Sequence, residues 1–335
     1  MCVYIYIVVV LRCISSCLQG RLTVFDNGDD NDDDDDTGKF CFHTAKTSDV
    51  LPQPDIEMIL SILTAHGAMK LNIAGGEPFL YPDMLGKIVT YAKTVAGFQS
   101  VSIISNGSKL KREWFEQYGE YVDMLGISCD SIQLDVDIAH GRMIRGTGAV
   151  VNKDAIVQHK KTQLDNVRLA NQLCKDFGMI FKVNTVVTSK NRLEDMTSLI
   201  NEVKPDRWKI FQVLPLEGEN YGEGAGKLQS IDGLLISTRE FDEYCERNKA
   251  NLNNKMTVEA ENNDTMRGSY ISIDEYGRFL DCTTGKKLPT MPILDVGIEA
   301  AAKELLLSEG GGFDRDAFYR RGGFYPDSWT KSNNM

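Results

Sequence analysis

The chain has 335 residues, 42% of them apolar, enough to bury a large core as one α/β domain. Its formal net charge of -11 argues against a protein that tracks nucleic-acid phosphates, and much of that charge sits in the run from Asp29 to Asp36, which reads as a solvated, disordered segment. Eight cysteines (2, 13, 17, 41, 129, 174, 245 and 282) are scattered without a convincing secretory signal, which points to a reducing compartment and free thiols. Cys129, Cys174 and Cys245 lie inside apolar patterns, as buried small hydrophobes do.

In chain order, residues 3–11 form an apolar run too short to span a bilayer and followed by Arg12 rather than a small-residue cleavage site. A buried parallel strand, an incomplete signal anchor and sequence foreign to the native protein are all open for it. From Lys39 on, two kinds of segment alternate. Helices are predicted over 54–65, 85–95, 112–121, 163–177 and 193–203, and strands over 70–74, 100–105, 124–128, 180–187 and 208–214. An irregular glycine-containing stretch covers 141–148. Such alternation implies right-handed βαβ units and a parallel sheet, with function at the C-terminal ends of its strands. Beyond Gly218 the pattern becomes loop-rich, with a helix near 240–248, a hairpin around 274–277 and a helix over 293–307.

The stretch Lys70-Leu71-Asn72-Ile73-Ala74-Gly75-Gly76-Glu77-Pro78-Phe79 reads as a buried strand emptying into a tight, ligand-facing turn. Two glycines let backbone approach a ligand, Glu77 presents a carboxylate at the strand's end, and Pro78 stiffens the exit. About one βα unit upstream, Lys39-Phe40-Cys41-Phe42-His43 sets a cysteine between aromatics. Together the two stretches resemble the radical S-adenosylmethionine (SAM) enzymes, and within them the viperin family of nucleotide dehydratases. Further matches follow in the family's order: Ser102-Ile103-Ile104-Ser105-Asn106-Gly107-Ser108, Gly126-Ile127-Ser128-Cys129-Asp130-Ser131, Phe181-Lys182-Val183-Asn184, Arg207-Trp208-Lys209-Ile210-Phe211-Gln212, Asp274-Glu275-Tyr276 and Ile293-Leu294-Asp295-Val296-Gly297. The resemblance runs roughly over 40–329.

What the resemblance implies is an α/β fold: a partial (β/α)6 radical SAM barrel over 39–217, after an atypical segment 1–38 and before a C-terminal extension, 218–335, that helps close a nucleotide site. It implies a 4Fe-4S cluster held by three thiolates, the fourth iron open to SAM, with Cys41 as a ligand and Phe40 beside it. SAM contacts fall on Gly75, Gly76, Glu77, Asn106 and Ser128. The implied substrate is CTP, its triphosphate held by Lys70, Arg142, Lys182, Asn184 and Lys209. A 5′-deoxyadenosyl radical would take the 4′ hydrogen. Loss of the 3′ hydroxyl, aided by Tyr276, would yield 3′-deoxy-3′,4′-didehydro-CTP, an antiviral chain terminator. Iron-sulfur assembly and electron-donor proteins would be partners. The location would be the cytoplasm or, as in animal members, the cytosolic face of endoplasmic reticulum or lipid droplets, although no Lys/Arg-lined amphipathic helix is legible here. The lysines carry an independent signal, because strand alternation aims them at one interior, where an unpaired cation is costly.

The sequence departs from the family at three places. Of the C-x3-C-x2-C motif only its end matches; Asp34 and Gly38 stand where two cysteines belong. Either Cys13 and Cys17, which have the C-x3-C spacing, complete the set across an acidic insertion, or 1–38 replaces the first strand and cluster loop. Ala74 stands where the family has serine, and an insertion follows Arg142. A cluster-deficient homologue that acts as a binding protein, and a radical SAM enzyme for another anionic substrate, are the alternatives.

Under the insertion arrangement, anaerobically reconstituted protein should hold about four irons and lose them in Cys13→Ala, Cys17→Ala and Cys41→Ala alike. Iron retained in Cys13→Ala would eliminate that arrangement.

Overall fold

In a computed structural model that describes residues 5–10, 50–140, 153–222, 230–253, 256–269, 271–281, 284–286 and 288–307, the N-terminal apolar run is a strand, β1 (Ile5–Val10). It pairs in parallel with β2 (Ala68–Ala74), Tyr6 opposite Lys70 and Val10 opposite Ala74. The run is thus a parallel strand of the sheet, as one of the three readings had it.

The expected alternation then unfolds. α1 (Gln53–Ala65) precedes β2, and α2 (Pro82–Tyr91) leads to β3 (Ser100–Ser105). α3 (Arg112–Tyr118) leads to β4 (Met124–Ser128), and α4 (Leu134–Ala139) with α5 (Lys153–Asp176) to β5 (Ile180–Val187). α6 (Thr197–Val203) leads to β6 (Arg207–Gln212). Neighbouring strands from β1 to β6 pair in parallel, and these six form a curled half-barrel. Among the described residues no helix is long and apolar enough to cross a membrane.

Side-chain alternation gives the sheet two faces of opposite character. Leu71, Ile73, Val101, Ile103, Leu125, Ile127, Phe181, Val183, Trp208 and Ile210 are buried in one core with the helices. The intervening positions carry Lys70, Asn72, Ser102, Gly126, Ser128, Lys182, Asn184 and Lys209, so the opposite face is a polar lumen. A fully buried side chain of Trp208's size contributes about 3–5 kcal/mol, and its indole N–H still finds a partner in the Thr185 hydroxyl at 3.0 Å.

The C-terminal extension joins this sheet. α7 (Thr238–Ala250), opened by a Ser237/Glu240 capping box, leads to β7 (Thr257–Glu261), which pairs in parallel with β6. After α8 (Asn263–Ser269), β8 (Ile271–Ile273) pairs in parallel with β1 at the other edge. β9 (Arg278–Asp281) and β10 (Leu288–Pro292) continue antiparallel, so the expected hairpin around 274–277 is present. α9 (Ile293–Val296) and α10 (Ile298–Leu307) close the described chain.

Three helices differ most from expectation. The helix expected over 193–203 starts only at Thr197, because Asn191 donates to the carbonyls of Asp130 and Val186, and Glu194 accepts from Ser131 and Ile132; both residues are thereby held outside a helix. The one expected over 293–307 is split by Gly297, whose φ of 82° interrupts the helical ladder. α5 begins ten residues early, at Lys153 rather than 163.

The hairpin turn is set against α1 through Gly277, which has φ 71° and where an added Cβ would lie 2.9 Å from Ile59 Cδ1. Gly277→Ala should therefore lower stability by about 1–3 kcal/mol in urea unfolding. An unchanged midpoint would show that the turn can shift off α1 without cost.

Candidate active site

β2 ends in Gly75 (φ 94°) and Gly76 (φ 52°), left-handed backbone that a side chain resists, so main-chain atoms form the surface offered there. Glu77 follows and is buried. Its carboxylate accepts from the Ser105 hydroxyl at 2.8 Å, the Asn106 N–H at 2.7 Å and the Phe79 N–H at 3.2 Å. It thus ties the end of β2 to the end of β3. Burial pushes the Glu77 acid up from its ordinary value, with these three bonds opposing. A carboxylate has about four acceptor positions, so roughly one remains for a ligand. Phe79 anchors the exit by packing on Trp114 and Phe115, ring centroids 4.9 and 5.6 Å away.

Asn106, half-buried, receives the Ser108 N–H on its side-chain oxygen at 2.8 Å, and Gly107 at φ 82° completes the turn. Ser128, the half-buried last residue of β4, stands opposite Asn184 in register. Both expected SAM contacts therefore lie at C-terminal strand ends, on the same edge as the glycine turn.

Deeper in the lumen, Gly126 is opposite Lys182, which is opposite Arg207, and Asn184 is opposite Lys209, which is opposite Glu259. Lys182 and Lys209 are only 7% and 6% exposed, inside the barrel rather than on a solvated face. The Lys209 ammonium lies 2.5 Å from Glu261 and 3.8 Å from Glu259, and 5.4 Å from the centre of the Phe211 ring. Arg207 lies 3.5 Å from Glu259. Burial, and secondly the charge on Lys209, push the Lys182 ammonium down to about 7, partly offset by Glu259 and Glu261. A Cβ on Gly126 would sit 2.5 Å from Ile104 Cδ1 and 3.2 Å from Lys182 Cε, so glycine there leaves room for the lysine stem.

Of the three lysines expected to converge, Lys182 and Lys209 lie on adjacent strands of the lumen. Lys70 is buried on the lumen face of β2, but the register row through Lys182 crosses Gly126 and Ile104, and Lys70 pairs with Ser100, nearer the strands' N-terminal ends. Tyr276, half-buried, lies in the turn after β8, with the Arg278 guanidinium 4.5 Å from its ring centre and Arg278 paired to Asp274 at 2.8 Å. Because β8 runs parallel to β1, that turn is at the same end of the sheet as Gly75 and Gly76. Phe40, Cys41 and Arg142, like Cys13 and Cys17, lie outside the described residues.

Sequence reasoning missed Glu259 and Glu261. Their signal was alternation in Thr257-Val258-Glu259-Ala260-Glu261, too short and too polar to read as a strand joined to a barrel.

Among the described residues no group of three or more His, Cys, Asp or Glu could hold a metal. The described cysteines, Cys129, Cys174 and Cys245, are buried and form no disulfide. Burial pushes the Cys174 thiol far up and the Cys245 thiol to about 12, so both are held as neutral thiols in the ligand-free chain. Cys13 and Cys17 follow β1 in sequence.

No family model matches the chain. A protein of Oncorhynchus mykiss named "S-adenosylmethionine-dependent nucleotide dehydratase RSAD2" is 41% identical over 296 residues, spanning 88% of this chain and 77% of its own length. A Flammeovirga pacifica protein named "S-adenosylmethionine-dependent nucleotide dehydratase" is 32% identical over 296 residues, spanning 86% of this chain and 90% of its own. Among solved structures, Streptococcus suis SuiB bound to S-adenosylmethionine shares the fold, with a TM-score of 0.55, 16% identity, and coverage of 96% of this chain and 68% of that one.

Replacing Glu77 by Ala leaves two backbone N–H groups and a hydroxyl without their acceptor, at roughly 1–3 kcal/mol for each donor that stays unsatisfied. Glu77→Ala should therefore lose about 2–4 kcal/mol of stability in the ligand-free chain, read by urea unfolding. A loss within experimental error would mean that the two loops hold together without this carboxylate.

Proposed function

The chain belongs to the family of S-adenosylmethionine-dependent nucleotide dehydratases, and from that premise we propose that it converts CTP to 3′-deoxy-3′,4′-didehydro-CTP in antiviral defence. SAM and a 4Fe-4S cluster are its cofactors. The observation that carries the reading is the pair of buried lysines, Lys182 and Lys209, on adjacent strands beneath a Gly75-Gly76 turn. A lumen that buries two lysines suits an anionic ligand.

When bound, SAM and the cluster supply the radical that removes hydrogen from the sugar. The chain's residues do the holding. Main-chain atoms of Gly75 and Gly76 and the spare acceptor of Glu77 receive the methionine ammonium; Asn106 and Ser128 meet the carboxylate and ribose hydroxyls. Lys182, Asn184 and Lys209 take the phosphates, and Lys70 and Arg142 add charge to the same ligand. Tyr276, in the turn at the end of the barrel that carries the glycine turn, would pass a proton to the departing 3′ hydroxyl. Electron-donor and iron-sulfur assembly proteins are its partners, at work in the cytoplasm.

A second reading, a cluster-deficient binding protein, is favoured by one observation: Asp34 and Gly38 occupy two of the expected cysteine positions. Iron content separates the two readings.

Charge-assisted contacts to phosphate contribute roughly 1.5–3 kcal/mol each, so Lys209→Ala should weaken CTP binding by about one to two decades in calorimetric titration. CDP and CMP should bind progressively less well, and salt should weaken all three. Equal affinity for CTP and cytidine would refute the nucleotide assignment and leave the SAM site untouched.

A further inference from the structure

We propose that Lys182 is the residue by which the lumen distinguishes an anionic ligand from a neutral one, and that it does so by taking up a proton from solvent as a phosphate group settles beside it. The inference rests on the reading of this face as a phosphate site and deepens it.

Among the described residues, the charged groups facing Lys182 come from two strands. β6 contributes Lys209 and Arg207, and β7 contributes Glu259 and Glu261. β4, on its other side, contributes Gly126 and Ser128, which carry no charge. Both β7 carboxylates are engaged by other cations: Glu261 by Lys209 at 2.5 Å, and Glu259 by Arg207 at 3.5 Å and Lys209 at 3.8 Å. Among the described residues no carboxylate lies within ion-pair distance of Lys182. The two lysines are therefore not equivalent. Lys209 is balanced by a carboxylate built into the fold, whereas Lys182 is buried beside two cations and lacks a counter-ion of its own. An ammonium in that setting gives up its proton readily, in keeping with its descent to about 7.

A phosphate oxygen beside Lys182 supplies the missing anion and restores the lysine towards its ordinary, higher value. The sign follows from linkage. Between the low value of the free site and the higher value of the bound site, the complex holds one more proton than the free protein, so affinity falls as pH rises through that interval. The terminal phosphate of a nucleotide, whose last ionisation lies near pH 6, is almost fully charged at pH 8 and contributes little there. A neutral nucleoside in the same lumen leaves Lys182 uncharged.

The test is calorimetry on the full chain at pH 8, in two buffers of different ionisation enthalpy, with CTP, inorganic triphosphate and cytidine as ligands. Wild type should take up close to one proton per CTP and none per cytidine, with a smaller net uptake for inorganic triphosphate, which brings part of a proton of its own at this pH, and its CTP affinity should fall about tenfold between pH 8 and pH 9. Lys182→Arg, whose guanidinium keeps its proton, should bind CTP without uptake and without that slope. Lys182→Met, which fits a buried site if arginine does not, should bind more weakly and also without uptake. CTP binding by wild type without proton uptake, or uptake that persists in both variants, overturns the proposal while leaving the phosphate site standing. Failure of wild type to bind either CTP or triphosphate overturns both.

Discussion

Two lysines inside a barrel, only one of them with a counter-ion among the described residues, set the terms for the strands around them. Removing an ion from water costs on the order of several kcal/mol even after relaxation, and the interior returns that energy only through a well-placed counter-charge. For Lys209 the counter-charge is Glu261, fully buried on β7. This explains why the C-terminal extension does not stand apart from the barrel. It adds β7 beside β6 and β8 beside β1, so its residues reach the lumen as strand residues, with the positional accuracy of a hydrogen-bonded ladder.

Glu77 solves a related problem at the mouth. The glycine turn after β2 and the loop after β3 must both present ligand-facing atoms, yet loops ordinarily carry the mobility of the surface. A single buried carboxylate that accepts from Ser105, Asn106 and Phe79 joins the two loops, and the aromatic packing of Phe79 on Trp114 and Phe115 fixes that joint to α3. The residue expected only to bind SAM is also the clamp that preorganises the binding edge.

The same economy is visible at Gly126. It lies where the lysine stem of the neighbouring strand leans across β4, and a methyl group there would meet both Ile104 and Lys182. Backbone at one position thus makes room for a charge at another. The lumen is polar because alternate residues are polar, but it is usable because one of them has no side chain.

Local periodicity determined much of this from the sequence alone. Alternating strand and helix patterns gave the parallel sheet, paired glycines gave the strained turn, and period-two spacing put Lys70, Lys182 and Lys209 on lumen faces, since each is a property of a few consecutive residues. Tertiary structure decided what those residues meet. Lys209 finds Glu261, Lys182 finds only cations as near neighbours on β6, and Lys70 is set lower than the other two, because strand register and order across the sheet bring together segments distant in the chain. It also decided where helices stop: Asn191 and Glu194 are held by partners after β4 and Gly297 breaks a ladder, details that propensity over a short window does not contain.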